Sequence, residues 1–120
     1  MKTGYFIVEG KECYFEIIEM LEQEVKCALI RKIAGGVLFF IEKFSLINTS
    51  DLLIVLRVQK HGSEDKCEIE IVAGGGGDGF MSLTFGNERR KINGLVTLIS
   101  DFCKSKRFMM SEPRSGNPPF

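Results

Sequence analysis

"KCEIEIVAGGGGDGFMSLTF", residues 66–85, opens with a clean alternation and then runs into glycine. Cys67, Ile69 and Ile71 fall on one side of an extended chain and Glu68 and Glu70 on the other, the pattern of a half-exposed antiparallel strand. The residues after this strand decide the fold. Gly74, Gly76 and Gly79 satisfy G-x-G-x-x-G, and Gly74 with Gly79 has the outer spacing of a Walker A loop. A Walker A loop needs Lys and Ser/Thr directly after its last glycine, where Phe80 and Met81 stand. A dinucleotide loop needs a helix to begin there, so that free amides meet the pyrophosphate. Met81, Leu83 and Phe85 instead alternate with Phe80, Ser82 and Thr84, which predicts a second strand and a wide or bulged hairpin turning at Asp78-Gly79. The calcium repeat beginning G-G-x-G-x-D fails on the position of Asp78 and on the lack of tandem copies. A hairpin does not need five glycines, and each surplus one costs roughly 0.5–1 kcal/mol relative to Ala. The excess points to close approach by another element, a partner chain or a ligand.

Upstream, Tyr14, Ile18, Leu21, Val25 and Ala28 step by helical intervals, predicting an amphipathic helix from Lys11 to about Cys27 without a strong N-cap. "ALIRKI" and "VLFFIEKFSLI" flank Ala34-Gly35-Gly36 and read as a hairpin. Turns at "NTSD" (48–51) and "HGSED" (61–65) bracket the strand "LLIVLRVQK". Asn87 is the expected N-cap of a second helix, whose stripe is Ile92, Leu95, Val96, Ile99, Phe102 and Cys103. With the short strand "KTGYFIVEG" in front, the order is strand, helix, four to five meandering strands, helix. Short turns require antiparallel neighbours, and two one-sided helices are buried most simply against one sheet face. The expected fold is therefore a two-layer α+β domain, a curved antiparallel meander sheet packed by two helices, similar to the helix-grip and TATA-box-binding-protein-like folds. It spans residues 1–108, and the proline-bearing tail 109–120 reads as a flexible extension.

Composition narrows the function classes. The 120 residues are 44% hydrophobic and 27% charged with zero formal net charge, so no global field recruits nucleic acid or an anionic membrane. The longest apolar runs, Val37 to Ile41 and Leu52 to Leu56, are far shorter than a membrane span, and the N-terminus lacks the pattern of a signal peptide. A cytoplasmic protein is expected. Cys13, Cys27, Cys67 and Cys103 are irregularly spaced, with one His61 in the chain, and read as reduced core thiols and not as metal ligands.

No catalytic constellation emerges, and neither a cofactor nor enzymatic activity is expected. His61, Asp51 and Asp78 sit in turns. Arg89, Arg90 and Lys91 near the start of the second helix oppose its dipole, so they are not there for helix stability. They read either as a solvated run or as an anion site built with the helix's free amides and the glycine loop. The candidate ligand residues are accordingly Gly75, Gly76, Gly77, Asp78, Arg89 and Arg90. An apolar cavity between sheet and helices, lined by Phe39, Phe44, Leu83, Phe85 and Phe102, is the other candidate ligand site. The first helix is rich in Glu and the second ends in Lys104, Lys106 and Arg107, which would attract if the helices lie side by side. The strands "VLFFI" and "LLIVL" carry more apolar surface than two helices can cover. The leading expectation is a non-enzymatic binding or protein-interaction module, self-associating as a homodimer or holding a protein partner; the alternative is a small-ligand binder.

One resemblance rests on "IEKFSLINTSDLLIVLRV", the strand after it, "GGGGDGF" and "FGNE", across roughly residues 29–105. In these the chain resembles a family of short, uncharacterised bacterial proteins, a domain of unknown function with an E-K-[FY], strand, G-G-G-x-x-G-F pattern. The resemblance implies a bacterial cytoplasmic protein and carries over no activity and no catalytic residue.

Overall fold

The computed structural model describes residues 2–44, 51–75 and 81–115, apart from some side chains at the margins of these segments. The order is β1 (Lys2–Glu9), α1 (Cys13–Glu24), β2 (Leu29–Ile33), β3 (Gly36–Phe44), β4 (Asp51–Lys60), β5 (Lys66–Gly75), α2 (Met81–Lys106), β6 (Met109–Met110) and β7 (Arg114–Ser115). All pairings are antiparallel and the strands lie in the order β2-β3-β4-β5-β1, with β6 and β7 both on the outer side of β1. This is the expected α+β architecture.

Alternation fixes which face is covered. Phe6, Ile69, Leu56 and Phe39, from four neighbouring strands, are almost wholly buried on one side of the sheet. Their core is completed by Ile17 and Leu21 of α1 and Ile92, Ile99 and Cys103 of α2, so both helices lie on that side. A Cβ on Gly4 would stand 3.1 Å from Cγ2 of Ile92, so this glycine lets α2 sit close to β1. Lys106 reaches Glu16 at 3.5 Å, and the opposite charges of the two helices do meet.

Three expectations change. The predicted helix over 11–27 is the shorter Cys13–Glu24, because Val25 is extended, and its fully buried side chains are Cys13, Ile17 and Leu21. Residues 81–85 are helix and not strand: α2 begins at Met81, and Asn87 is inside it instead of capping it. The alternation of Met81, Leu83 and Phe85 covers only a few residues. Extending a helix already fixed by the Ile92–Cys103 stripe adds a hydrogen bond per residue without a new nucleus. The third change concerns the tail, because the folded body continues past Phe108. Met110 pairs with Val8, and Arg114 pairs with Tyr5. That is four steps against three on β1, so one residue bulges, at a segment containing Pro113. There the Ser111 amide donates to the Ile7 carbonyl and the Ile7 amide donates to Ser111 Oγ, both at 2.8 Å. Residues 116–120 lie outside the described set.

Candidate interaction surface

Because both helices occupy one face, the other face of the sheet is left open among the described residues, and the registers place its residues in rows. One row runs Leu29–Phe40–Val55–Val72–Thr3 across β2, β3, β4, β5 and β1. Leu29 is 44% exposed, and Leu53, two residues from Val55 on the same face, is also 44% exposed. Leu38 and Phe40 are half-buried, shielded by their neighbours in the sheet. The apolar excess of "VLFFI" and "LLIVL" is therefore shared out: one alternate set fills the core and the other lies on the open face.

The next row, Arg31–Leu38–Arg57–Glu70–Tyr5–Arg114, is polar at its centre. Arg57 Nε donates to Glu70 at 3.3 Å, and its Nη1 donates to Glu68 at 3.2 Å and to Gln59 at 2.5 Å. Tyr5 donates its hydroxyl to the other oxygen of Glu68 at 2.7 Å. Partial burial pushes the Glu68 carboxyl up, but the hydrogen bonds from Tyr5 and Arg57 and the guanidinium charge outweigh it and leave Glu68 below its ordinary range. The bond to Glu68, helped by burial, raises the Tyr5 phenol. His61 lies in the exposed turn, 3.8 Å from Glu68. At this centre Arg57, Glu68 and Glu70 hold one another across the strands.

The two edges of the sheet differ. The outer edge of β1 is closed by the chain's own β6–β7 segment. β2 forms the other edge, and all five of its residues are exposed, Leu29, Ile30 and Ile33 by 44%, 42% and 37%. The Lys60 amide donates to the Gly35 carbonyl at 2.8 Å, which marks that pair as hydrogen-bonded. Antiparallel alternation then turns the main-chain groups of Leu29, Arg31 and Ile33 toward β3, and those of Ile30 and Lys32 away from the sheet.

Of the ligand residues expected from sequence, Gly75 is the last residue of β5, opposite Leu52. Gly76, Gly77 and Asp78 lie outside the described residues, as do the turn at 48–50 and the side chains of Phe44, Leu83, Phe85 and Arg89. Arg90 is exposed on α2. Since α2 starts at Met81, its first-turn amides and Arg89 are separated by roughly 12 Å along the axis at 1.5 Å per residue. The amides and the arginines thus do not share the helix start that the anion reading assumed. The helix after the glycines also removes one ground for setting the dinucleotide reading aside. The antiparallel sheet supplies another, since that loop belongs to a parallel βαβ unit. The expected cavity is not where Phe39 and Phe102 are: Phe39 is solid core, and Phe102 packs edge-on against Phe108. A groove of about 490 Å³ lies instead between α2 and the C-terminal segment, with Ser100, Asp101, Lys104, Phe108 and Glu112 in its lining.

The thiols are free. Cys13 and Cys67 are fully buried with their sulfurs 3.8 Å apart. Burial pushes both upward, and Cys103 to about 11, so they remain protonated packing groups. Among the described residues no group of His, Cys, Asp and Glu is placed to hold a metal, and no helix is long and apolar enough to cross a membrane.

Fold and surface together define a two-layer α+β protein with one sheet face covered and the other open. No protein-family model matches the chain, and no curated protein or solved structure matches it either.

Proposed function

We propose that the chain is a non-enzymatic, cytoplasmic protein-interaction module whose contact surface is the open sheet face at its β2–β4 end. The supporting observation is the contiguous apolar row Leu29–Phe40–Val55–Val72 with Leu53 beside it. A solvated face of an antiparallel sheet ordinarily reads polar, and contiguous apolar residues on it mark a contact surface. Free cysteines suit a reducing compartment. A second copy of the chain is the occupant that requires no other component, and self-association is part of the reading. Light scattering coupled to size-exclusion chromatography tests it: the wild type forms a dimer whose fraction rises with concentration, and Leu53→Lys shifts it to monomer with its circular dichroism unchanged. A strictly monomeric wild type at high micromolar concentration contradicts self-association through this face.

The small-ligand alternative draws on the groove between α2 and the C-terminal segment, where Asp101, Lys104 and Glu112 offer charge beside the Phe108 ring. A ligand there would raise the thermal midpoint, and Lys104→Glu would remove that shift for an anionic compound.

A further inference from the structure

We infer that the outer edge of β2 is a docking edge for an extended segment of another protein, one carrying two adjacent acidic residues flanked by apolar ones. The inference rests on the interaction-module reading and names the partner's chemistry. An open edge strand presents unpaired main-chain donors and acceptors and templates another strand unless something blunts it. This protein closes one edge of its sheet with its own chain, a bulge and Pro113, and among the described residues no strand pairs with the other. On the bare edge, the amides and carbonyls of Ile30 and Lys32 face outward, and apolar side chains lie on both faces: Leu29 and Ile33 on the open face, Ile30 on the helix side.

Charge selects the occupant. Arg31 and Lys32 are adjacent and exposed, one on each face of the strand. Two copies paired edge to edge would bring four cations into one seam, with Arg31 across from Arg31 or Lys32 across from Lys32 in two of the three registers that pair the outward residues, and like charges across strands are destabilising. An added strand is favoured when it sets a carboxylate across from Arg31 on one face and a second across from Lys32 on the other. Neighbouring residues of a strand point to opposite faces, so those two carboxylates are adjacent in the partner. Opposite Leu29, Ile30 and Ile33 the partner is apolar. For an antiparallel partner this gives the pattern apolar, acidic, acidic, apolar, apolar. Main-chain hydrogen bonds supply affinity and the side-chain rows supply selectivity.

Isothermal titration of the full chain with a synthetic peptide bearing the core Ile-Asp-Glu-Val-Val tests the proposal. The wild type binds it, and the same peptide with Lys-Lys in place of Asp-Glu binds about tenfold more weakly or not at all, as expected for charge pairs directly opposite on neighbouring strands. The double variant Arg31→Glu with Lys32→Glu reverses the preference. Ile30→Pro keeps both cations and breaks no bond to β3, because the Ile30 amide faces outward; it abolishes binding while circular dichroism and thermal midpoint stay near wild type. Should Ile30→Pro fail to fold, a peptide N-methylated at the residue facing Ile30 takes its place and must lose affinity. Binding indifferent to peptide charge, or unchanged by the outward proline or N-methyl group, overturns the proposal. A wild type that dimerises through Leu53 yet ignores the acidic peptide overturns the edge proposal and leaves the interaction-module reading standing.

Discussion

Glu68 is held from both sides on the open face, with Tyr5 on one oxygen and Arg57 on the other. Its carboxyl is held below the ordinary range in the folded protein, so the stability it contributes is complete above the unfolded carboxylate pKa. That stability is lost as pH falls through the lower, folded value. Tyr5 has the opposite sign: its raised phenol contributes stability below the unfolded tyrosine pKa, lost as pH rises through the folded one. Glu68→Gln should therefore flatten the acid limb of a denaturation-midpoint profile below the ordinary glutamate pKa of about 4.3 and lower stability at neutral pH by about 1–3 kcal/mol, the usual worth of hydrogen bonds to a charged group. An acid limb identical to wild type would mean that the ladder is not formed. The alternation of Glu68 and Glu70 was readable in the sequence. Their union with Arg57 and Tyr5 was not, because it depends on strand order across positions 63 and 11 residues apart.

Among the elements, α1 shows how a missing local signal is replaced. Its N-cap residue, Glu12, makes no capping bond with its own side chain and is left-handed at φ 57°. The free amides are met by the distant β4–β5 turn: Glu12 donates to Asp65 Oδ1 at 2.8 Å and Tyr14 donates to the Glu64 carbonyl at 3.1 Å. Asp65→Ala should cost about 1 kcal/mol in chemical denaturation, the usual worth of an N-cap acceptor. Asp65→Asn should retain most of it, and equal losses from both would assign the effect to the turn instead. The β2–β5 meander was legible because its hydrophobic period is local and its turns carry glycine at positive φ, 73° at Gly35 and 91° at Gly62. The start of α2 and the β6–β7 segment were not. A run as short as "MSLTF" fits either period, and an edge strand on β1 depends on a partner a hundred residues away. The end of α2 is closed by Phe108 donating to Cys103 and Arg107 to Lys104, with Arg107 at φ 62°, an arrangement usually signalled by a glycine that is absent here.

For the whole molecule, the asymmetry of the sheet is the organising fact. One face is sealed by helices and one edge by the C-terminal chain, and these enclose the core. The remaining face and edge meet at β2, where Leu29 and Ile33 belong to both. Of the glycine run that first draws attention, Gly74 and Gly75 end β5 and the rest lies outside the described residues. The interaction reading comes instead from "LIRKI", whose exposure on both faces emerged only with the strand order. Amide hydrogen exchange on the full chain tests this most directly. In the free protein the amides of Ile30 and Lys32 should exchange rapidly while those of Leu29, Arg31 and Ile33 are protected. Saturating acidic peptide should slow Ile30 and Lys32 by about tenfold or more, as for newly paired strand amides. Rates for Ile30 and Lys32 that stay unchanged with the peptide, or that already match Arg31 in the free monomer, would contradict an open docking edge.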